Sequence, residues 1–137
     1  MPGLHVLVVE SDRDLAELIR HNLAAEGAGV QAAGTLAEGC RAVRRYGAPD
    51  AILLDIALPG VNPYDALMVL RAVCRRHVPV GFLSRSRRPM ARFVGCPVRG
   101  APFTRIDLAA FLDRILLPSA LPRAVGGQDG DARLSPL

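Results

Sequence analysis

Short apolar runs alternate along the chain with stretches of helical period. His5–Val9 and Ala51–Leu54 show no polar–apolar alternation, which predicts strands buried on both faces of a parallel sheet. After the first run, Asp12 is placed to cap a helix whose apolar positions Leu15, Leu18, Ile19 and Leu23 recur at helical spacing. Gly27 and Gly29 stop it, and Val30–Ala33 predicts a short second strand. Thr35 and Glu38 form a capping box for a second helix through Tyr46, with Leu36, Cys40 and Val43 inward. The third strand ends at Asp55. A Pro59-Gly60 loop then leads to a helix over Tyr64–Arg76 that buries Leu67, Leu70 and Cys74.

Val78–Leu83 predicts a fourth strand with Pro79 at its start, where a missing N–H is tolerated. Ser84 to Ala101 is the least regular stretch: Pro89–Val94 reads as a helical turn or two, and Pro97-Val98 as the stub of a fifth strand. Thr104 caps a last helix carrying Leu108, Phe111, Leu112, Ile115 and Leu116 on one face, ended by Pro118. From there the composition turns to proline and glycine without apolar period. The expectation is a domain over residues 4–117 and a flexible tail or linker over 118–137. Five β-then-α units predict an α/β, flavodoxin-like three-layer sandwich: a doubly wound five-stranded parallel sheet of order 2-1-3-4-5 with a shortened or irregular fourth helix. Ligands of such sheets bind beyond the carboxyl ends of the strands, which directs attention to Glu10, Ser11, Asp55, Ser84 and Ala101.

Composition narrows the chemistry. All 17 basic residues are arginine, against 13 acidic ones. With no lysine, the chain has no Schiff-base amine, no phosphate-loop lysine and no compact ammonium. The arginine-only habit is also what a GC-rich genome produces. No apolar run approaches the roughly 18 residues of a membrane span, and the start lacks the pattern of a signal peptide. Cys40, Cys74 and Cys96 are odd in number and without metal-ligand spacing, so they read as reduced cysteines of a cytoplasmic protein. The single histidines His5, His21 and His77 carry no motif.

Four segments together resemble a known family, the receiver domain of two-component response regulators: Val6–Asp12, Leu53–Gly60, Pro79–Ser84 and Ala101–Thr104. The resemblance covers about residues 4–117, and the segment after the third strand, from Leu53 to Gly60, is its most specific part. It implies a phosphoacceptor aspartate, matched by Asp55, that receives its phosphoryl group from a histidine kinase. It also implies a magnesium ion held by an acidic pair after the first strand, by the acceptor, and by a backbone carbonyl two residues further on. On this sequence those positions are Glu10 with Ser11, Asp55 and Ala57, and the phosphoryl-contacting hydroxyl is Ser84.

Two members of the set are missing. Ser11 stands where the second acidic residue belongs, and Ala101 where a lysine would offset phosphate charge. Magnesium is poorly held by a neutral hydroxyl in place of a carboxylate. Asp12 is adjacent, but its position assigns it to helix capping; Arg85 and Arg99 are the nearest cations to stand in for the lysine. The output face departs as well. Ser84 and Ala101 are 17 positions apart, shorter than the family's usual spacing, and Val98 replaces its aromatic switch residue.

Nine arginines and no acidic residue lie between Asp65 and Asp107, with Arg85, Arg87, Arg88, Arg92 and Arg99 as the basic patch around the altered segment. This reads either as a surface for an acidic partner, including nucleic acid, or as a solvated face of a lysine-free chain. The leading reading is a non-enzymatic interaction module, an atypical receiver without a bound cofactor, signalling to a protein partner or a second copy through the fourth-helix, fifth-strand and fifth-helix face. The alternatives are a working magnesium-dependent phosphoacceptor at Asp55 controlling a DNA-binding output, and nucleic-acid contact through Arg85–Arg92. A flavin-binding reading fails on the negative charge at Glu10 and Asp12, where a phosphate would have to sit.

Overall fold

The two wholly apolar runs form the centre of a parallel sheet. The computed structural model describes residues 3–117, in the order β1 (His5–Val9), α1 (Arg13–Ala24), β2 (Gly29–Ala33), α2 (Leu36–Tyr46), β3 (Ala51–Asp55), α3 (Pro63–Cys74), β4 (Val80–Ser84), β5 (Arg92–Phe93), β6 (Cys96–Gly100) and α4 (Arg105–Leu116). The strands lie in the order β2-β1-β3-β4-β6-β5, all parallel except the β5–β6 pair.

Alternation along the central strands divides the core in two. Leu7, Val9, Ile52 and Leu54 pack toward α2 and α3, with Cys40, Leu67 and Leu70. Val6, Val8, Ala51 and Leu53 pack toward α1 and α4, with Ile19, Leu23, Leu108 and Leu112. Each such buried aliphatic side chain contributes about 1.5–3 kcal/mol relative to exposure, so neither face of the sheet can be left uncovered. The helices begin where the sequence places their caps. Asp12 accepts the Leu15 N–H (3.1 Å), Thr35 the Glu38 N–H (3.1 Å) and Thr104 the Asp107 N–H (3.1 Å). Asn62 does the same for α3, accepting the Tyr64 N–H at 2.8 Å, with Pro63 at the first helical position.

The architecture agrees with the expected one in its five parallel strands and their order, and differs in detail. There are six strands rather than five, and no fourth helix, even a shortened one, stands between β4 and the last strand among the described residues. Where a helical turn was expected over Pro89–Val94, the chain forms a hairpin, with Arg92 opposite Pro97 and Phe93 opposite Cys96. Its turn residues Val94 and Gly95 both have positive φ, 50° and 80°, the geometry of a two-residue hairpin loop matched to strand twist. Arg92 closes the turn by donating to the Gly95 carbonyl at 2.8 Å, and the Phe93 ring meets Phe82 edge-on at 5.2 Å. That aromatic contact covers sheet surface that a helix would otherwise have to cover.

The expected stub at Pro97-Val98 is a full strand, β6. The strand expected over Val78–Leu83 starts two residues later. The third helix stops at Cys74 because Arg75 turns left-handed (φ 60°). Leu18, expected inward, is exposed, since α1 turns Ala16, Ile19 and Leu23 to the sheet. The Pro118 stop and the tail over 118–137 lie outside the described residues.

Valine is a poor choice in the left-handed region, where a side chain costs roughly 1–2 kcal/mol, and Val94 is largely exposed. Val94→Asn supplies the favoured Asn-Gly pair and should raise unfolding free energy by about 1 kcal/mol in urea titration.

Candidate functional site

The carboxyl ends of β1, β3 and β4 deliver Glu10, Asp55 and Ser84 to one edge of the sheet. β3 lies between β1 and β4, so Asp55 sits centrally with Glu10 on one side and the segment after Ser84 on the other. Glu10 and Asp55 are the two charged residues buried within the described chain, each only 2 % exposed.

The oxygens of Asp55 are unequally served. Oδ1 accepts the Ala57 N–H at 2.8 Å, while Oδ2 is buried with no hydrogen-bond partner among the described residues. Burial raises the Asp55 carboxyl above the ordinary carboxylate range and the neighbouring Glu10 raises it further, against the opposing Ala57 N–H and Arg85 charge. Glu10 Oε2 is fully engaged, accepting the Arg85 guanidinium at 2.8 Å and the Asp12 N–H at 3.0 Å. Arg85, the residue after β4, thus reaches across the end of β3 to the end of β1.

The other nominated residues divide into neighbours and bystanders. Ser11 is exposed, and Asp12 caps α1 through Oδ1. The Ser84 hydroxyl accepts the Ser86 N–H at 3.1 Å, starting a turn continued by Ser86 Oγ and the Arg88 N–H at 3.1 Å. Ala101 closes the edge beyond β6, its N–H donating to the Ser86 carbonyl at 3.1 Å. At Gly100 a side chain would collide with that carbonyl and with Pro89, so glycine is what lets the segment 86–89 lie against the sheet. A cleft of about 640 Å³ lies beside the site between α1 and α2, lined by Glu10, Ser11, Asp14, Glu17 and Glu38.

The five arginines of the basic patch are differently engaged. Arg85 is bound to Glu10, Arg92 closes the hairpin, and Arg99 pairs with Asp107 at 3.1 Å. Arg87 and Arg88 remain exposed and without an ion-pair partner among the described residues. The contact between Arg85 and Glu10 was not visible in the sequence beyond one hint: a cation stands directly after the hydroxyl that ends β4.

The response regulator receiver domain model matches residues 6–96. The chain belongs to that family. An uncharacterized transcriptional regulatory protein of Bacillus subtilis, YcbL, is 33 % identical over 110 residues, covering 76 % of this chain and 47 % of that protein. The DNA-binding response regulator MtrA of Mycobacterium tuberculosis is 42 % identical over 67 residues, covering 49 % of this chain and 29 % of MtrA. The fold matches a response regulator receiver domain protein of Clostridium thermocellum with a TM-score of 0.71 at 20 % identity, over 86 % of this chain and 98 % of that one. The receiver spans less than half the length of these two curated relatives. Among its described residues no helix is long and apolar enough to cross a membrane.

The raised Asp55 carboxyl makes a signed prediction. A carboxylate whose folded pKa exceeds its unfolded one binds more protons when folded, so its penalty is full above the folded pKa and vanishes below the unfolded one. Asp55→Asn should therefore stabilise the domain at neutral pH, by about 1–3 kcal/mol, the range for an unsatisfied buried polar group. The gain should fade as pH drops below the ordinary carboxylate pKa of about 3.9, read by denaturant titration at both pH values.

Proposed function

We propose that this receiver acts by protein–protein interaction and does not depend on magnesium-assisted phosphorylation of Asp55. The observation that carries this reading is the state of the acidic edge. A phosphoryl group arriving at Asp55 needs fixed positive charge to offset its oxygens. Ala101 offers a methyl group there, and Arg99 is committed to Asp107.

With Arg85 in place, the donor set does not fit the magnesium ion that the family implies. Magnesium demands near-octahedral oxygen ligands at about 2.0–2.1 Å. Here Glu10 Oε2 already holds a guanidinium and an N–H, Ser11 faces solvent, and Asp12 is spent on α1. No group of three or more His, Cys, Asp or Glu able to hold a metal ion occurs among the described residues. Asp55 Oδ2 is left as one buried oxygen without a hydrogen-bond partner among the described residues.

The signalling surface differs in the same direction. The hairpin Arg92–Gly100 stands where the fourth helix was expected, presenting Val94 to solvent, with Met90 exposed just before it. A protein partner, either a histidine kinase, an output module or a second copy, would meet a short twisted hairpin with the exposed guanidinium groups of Arg87 and Arg88 beside it. Through such contacts the module would take part, in the cytoplasm, in the transcriptional regulation that its relatives are named for. This role is binding, with no catalysis of its own.

Incubating the protein with a small phosphodonor and magnesium should leave its intact mass unchanged. A stoichiometric phosphate adduct that disappears in Asp55→Asn would overturn the proposal.

A further inference from the structure

The ion pair at the acidic edge joins two strands that are not neighbours. Adjacent strands lie about 4.8 Å apart, so β1 and β4, separated by β3, are roughly 10 Å apart. Arg85 starts at the end of β4 and places its guanidinium 2.8 Å from Glu10 Oε2 at the end of β1. Its path crosses the carboxyl end of β3, where Asp55 is buried.

Three charges therefore share one small volume: two buried carboxyl groups and one guanidinium. The Glu10 side chain is 1 % exposed while that of Arg85 is 54 % exposed, so the cation comes from the solvent side and covers the carboxylates like a lid on a tether. A buried carboxyl pair without a cation would be strongly unfavourable, and among the described residues Arg85 is the cation that contacts Glu10 and acts on Asp55, while Arg99 is held by Asp107.

We propose that Arg85 is the resident cation of this receiver, a covalently tethered replacement for a divalent ion that bridges the ends of β1 and β4 over Asp55. The inference rests on the reading that the edge does not use magnesium and names the group that excludes it. A guanidinium fixed to the backbone is present at every ion concentration, so the charge at the edge no longer depends on binding. It also delivers one positive charge where the metal would deliver two. That leaves the edge with a net negative charge while both carboxyls are ionised, and the neighbouring backbone N–H groups of Asp12 and Ala57 take up part of it.

The segment carrying Arg85 is itself held in place. The Ser84 and Ser86 hydroxyls accept backbone N–H groups two residues on, and the Ser86 carbonyl is held by the Ala101 N–H against Gly100. The start of the arginine side chain is therefore fixed, and less conformational freedom is lost in forming the bridge.

The test is magnesium and manganese binding by the whole chain, followed by calorimetric titration and by melting temperature at constant ionic strength. Wild-type protein should show no saturable binding at millimolar concentrations. Arg85→Ala removes the tethered charge and should gain saturable binding, with affinity at least about tenfold above wild type, as expected for removal of a like charge a few ångströms away. Its melting temperature, lowered by loss of the bridge, should rise when the cation is added. Glu10→Gln combined with Arg85→Ala should lose the gained binding, and folding of both variants is verified by their cooperative melts.

Equal binding by wild type and Arg85→Ala would overturn the inference, as would absence of binding in both, because Arg85 would then not be what keeps the cation out. If Arg85→Ala melts without cooperativity, Arg85→Gln provides the same comparison with the side-chain stem retained. Failure of the phosphodonor experiment on wild-type protein is a separate result, since it reads Asp55 chemistry rather than the occupant of the edge.

Discussion

Burial of β1 and β3 on both faces is the constraint from which the rest of the molecule follows. Val6, Val8, Val9, Ile52, Leu53 and Leu54 are completely inaccessible to solvent, and a strand in that position must be covered above and below by helices. Parallel strands joined by right-handed helical crossovers satisfy this with all carboxyl ends at one edge. The first polar residues after each central run, Glu10 and Asp55, therefore arrive together, buried because their strands are buried. Their chemistry is a consequence of where the apolar runs stop.

The same constraint accounts for the hairpin. Sheet surface around Phe82 and Val98 must be covered, and the short segment between β4 and β6 has to supply the cover. It does so with two paired residues and one aromatic ring. The chain accepts valine in a left-handed turn to achieve it, a local cost outweighed by the burial of Phe82, Cys96 and Val98. Loop and site are thereby linked, since the stretch Ser84–Pro89 that starts toward the hairpin also carries Arg85.

At the edge, electrostatics governs which groups can sit together. Two buried carboxyl groups require positive charge close by, and the chain provides it from its own sequence. The arginine-only composition, which as a count signified little, acquires a structural role at one position. Arg85 has the reach to cross a strand, and its planar group remains charged at any physiological pH. Arg92 and Arg99, by contrast, are engaged by the hairpin turn and by α4, so the arginines after Asp65 do not all serve one purpose.

The sequence by itself determined what is local. The apolar runs at β1 and β3, the caps Asp12, Thr35 and Thr104, the inward positions of α4 and the arrival of Glu10, Asp55 and Ser84 at strand ends are all set by neighbours within a few residues. The strand order was the default of the doubly wound fold with right-handed crossovers. Three features were decided only in the tertiary structure. The hairpin at Val94-Gly95 hid from sequence because valine is not a turn residue there, and tertiary packing of Phe93 on Phe82 helps hold the conformation. Leu18 was an inward candidate by period alone, yet α1 turns Ala16, Ile19 and Leu23 inward and leaves it exposed. The partner of Arg85 lies 75 positions away in the chain, brought into reach because β1 and β4 both pair in parallel with β3, which sets their carboxyl ends at one edge. Periodicity reports which face is apolar; which charge meets which across a sheet depends on the order in which strands are assembled, and that belongs to the fold as a whole.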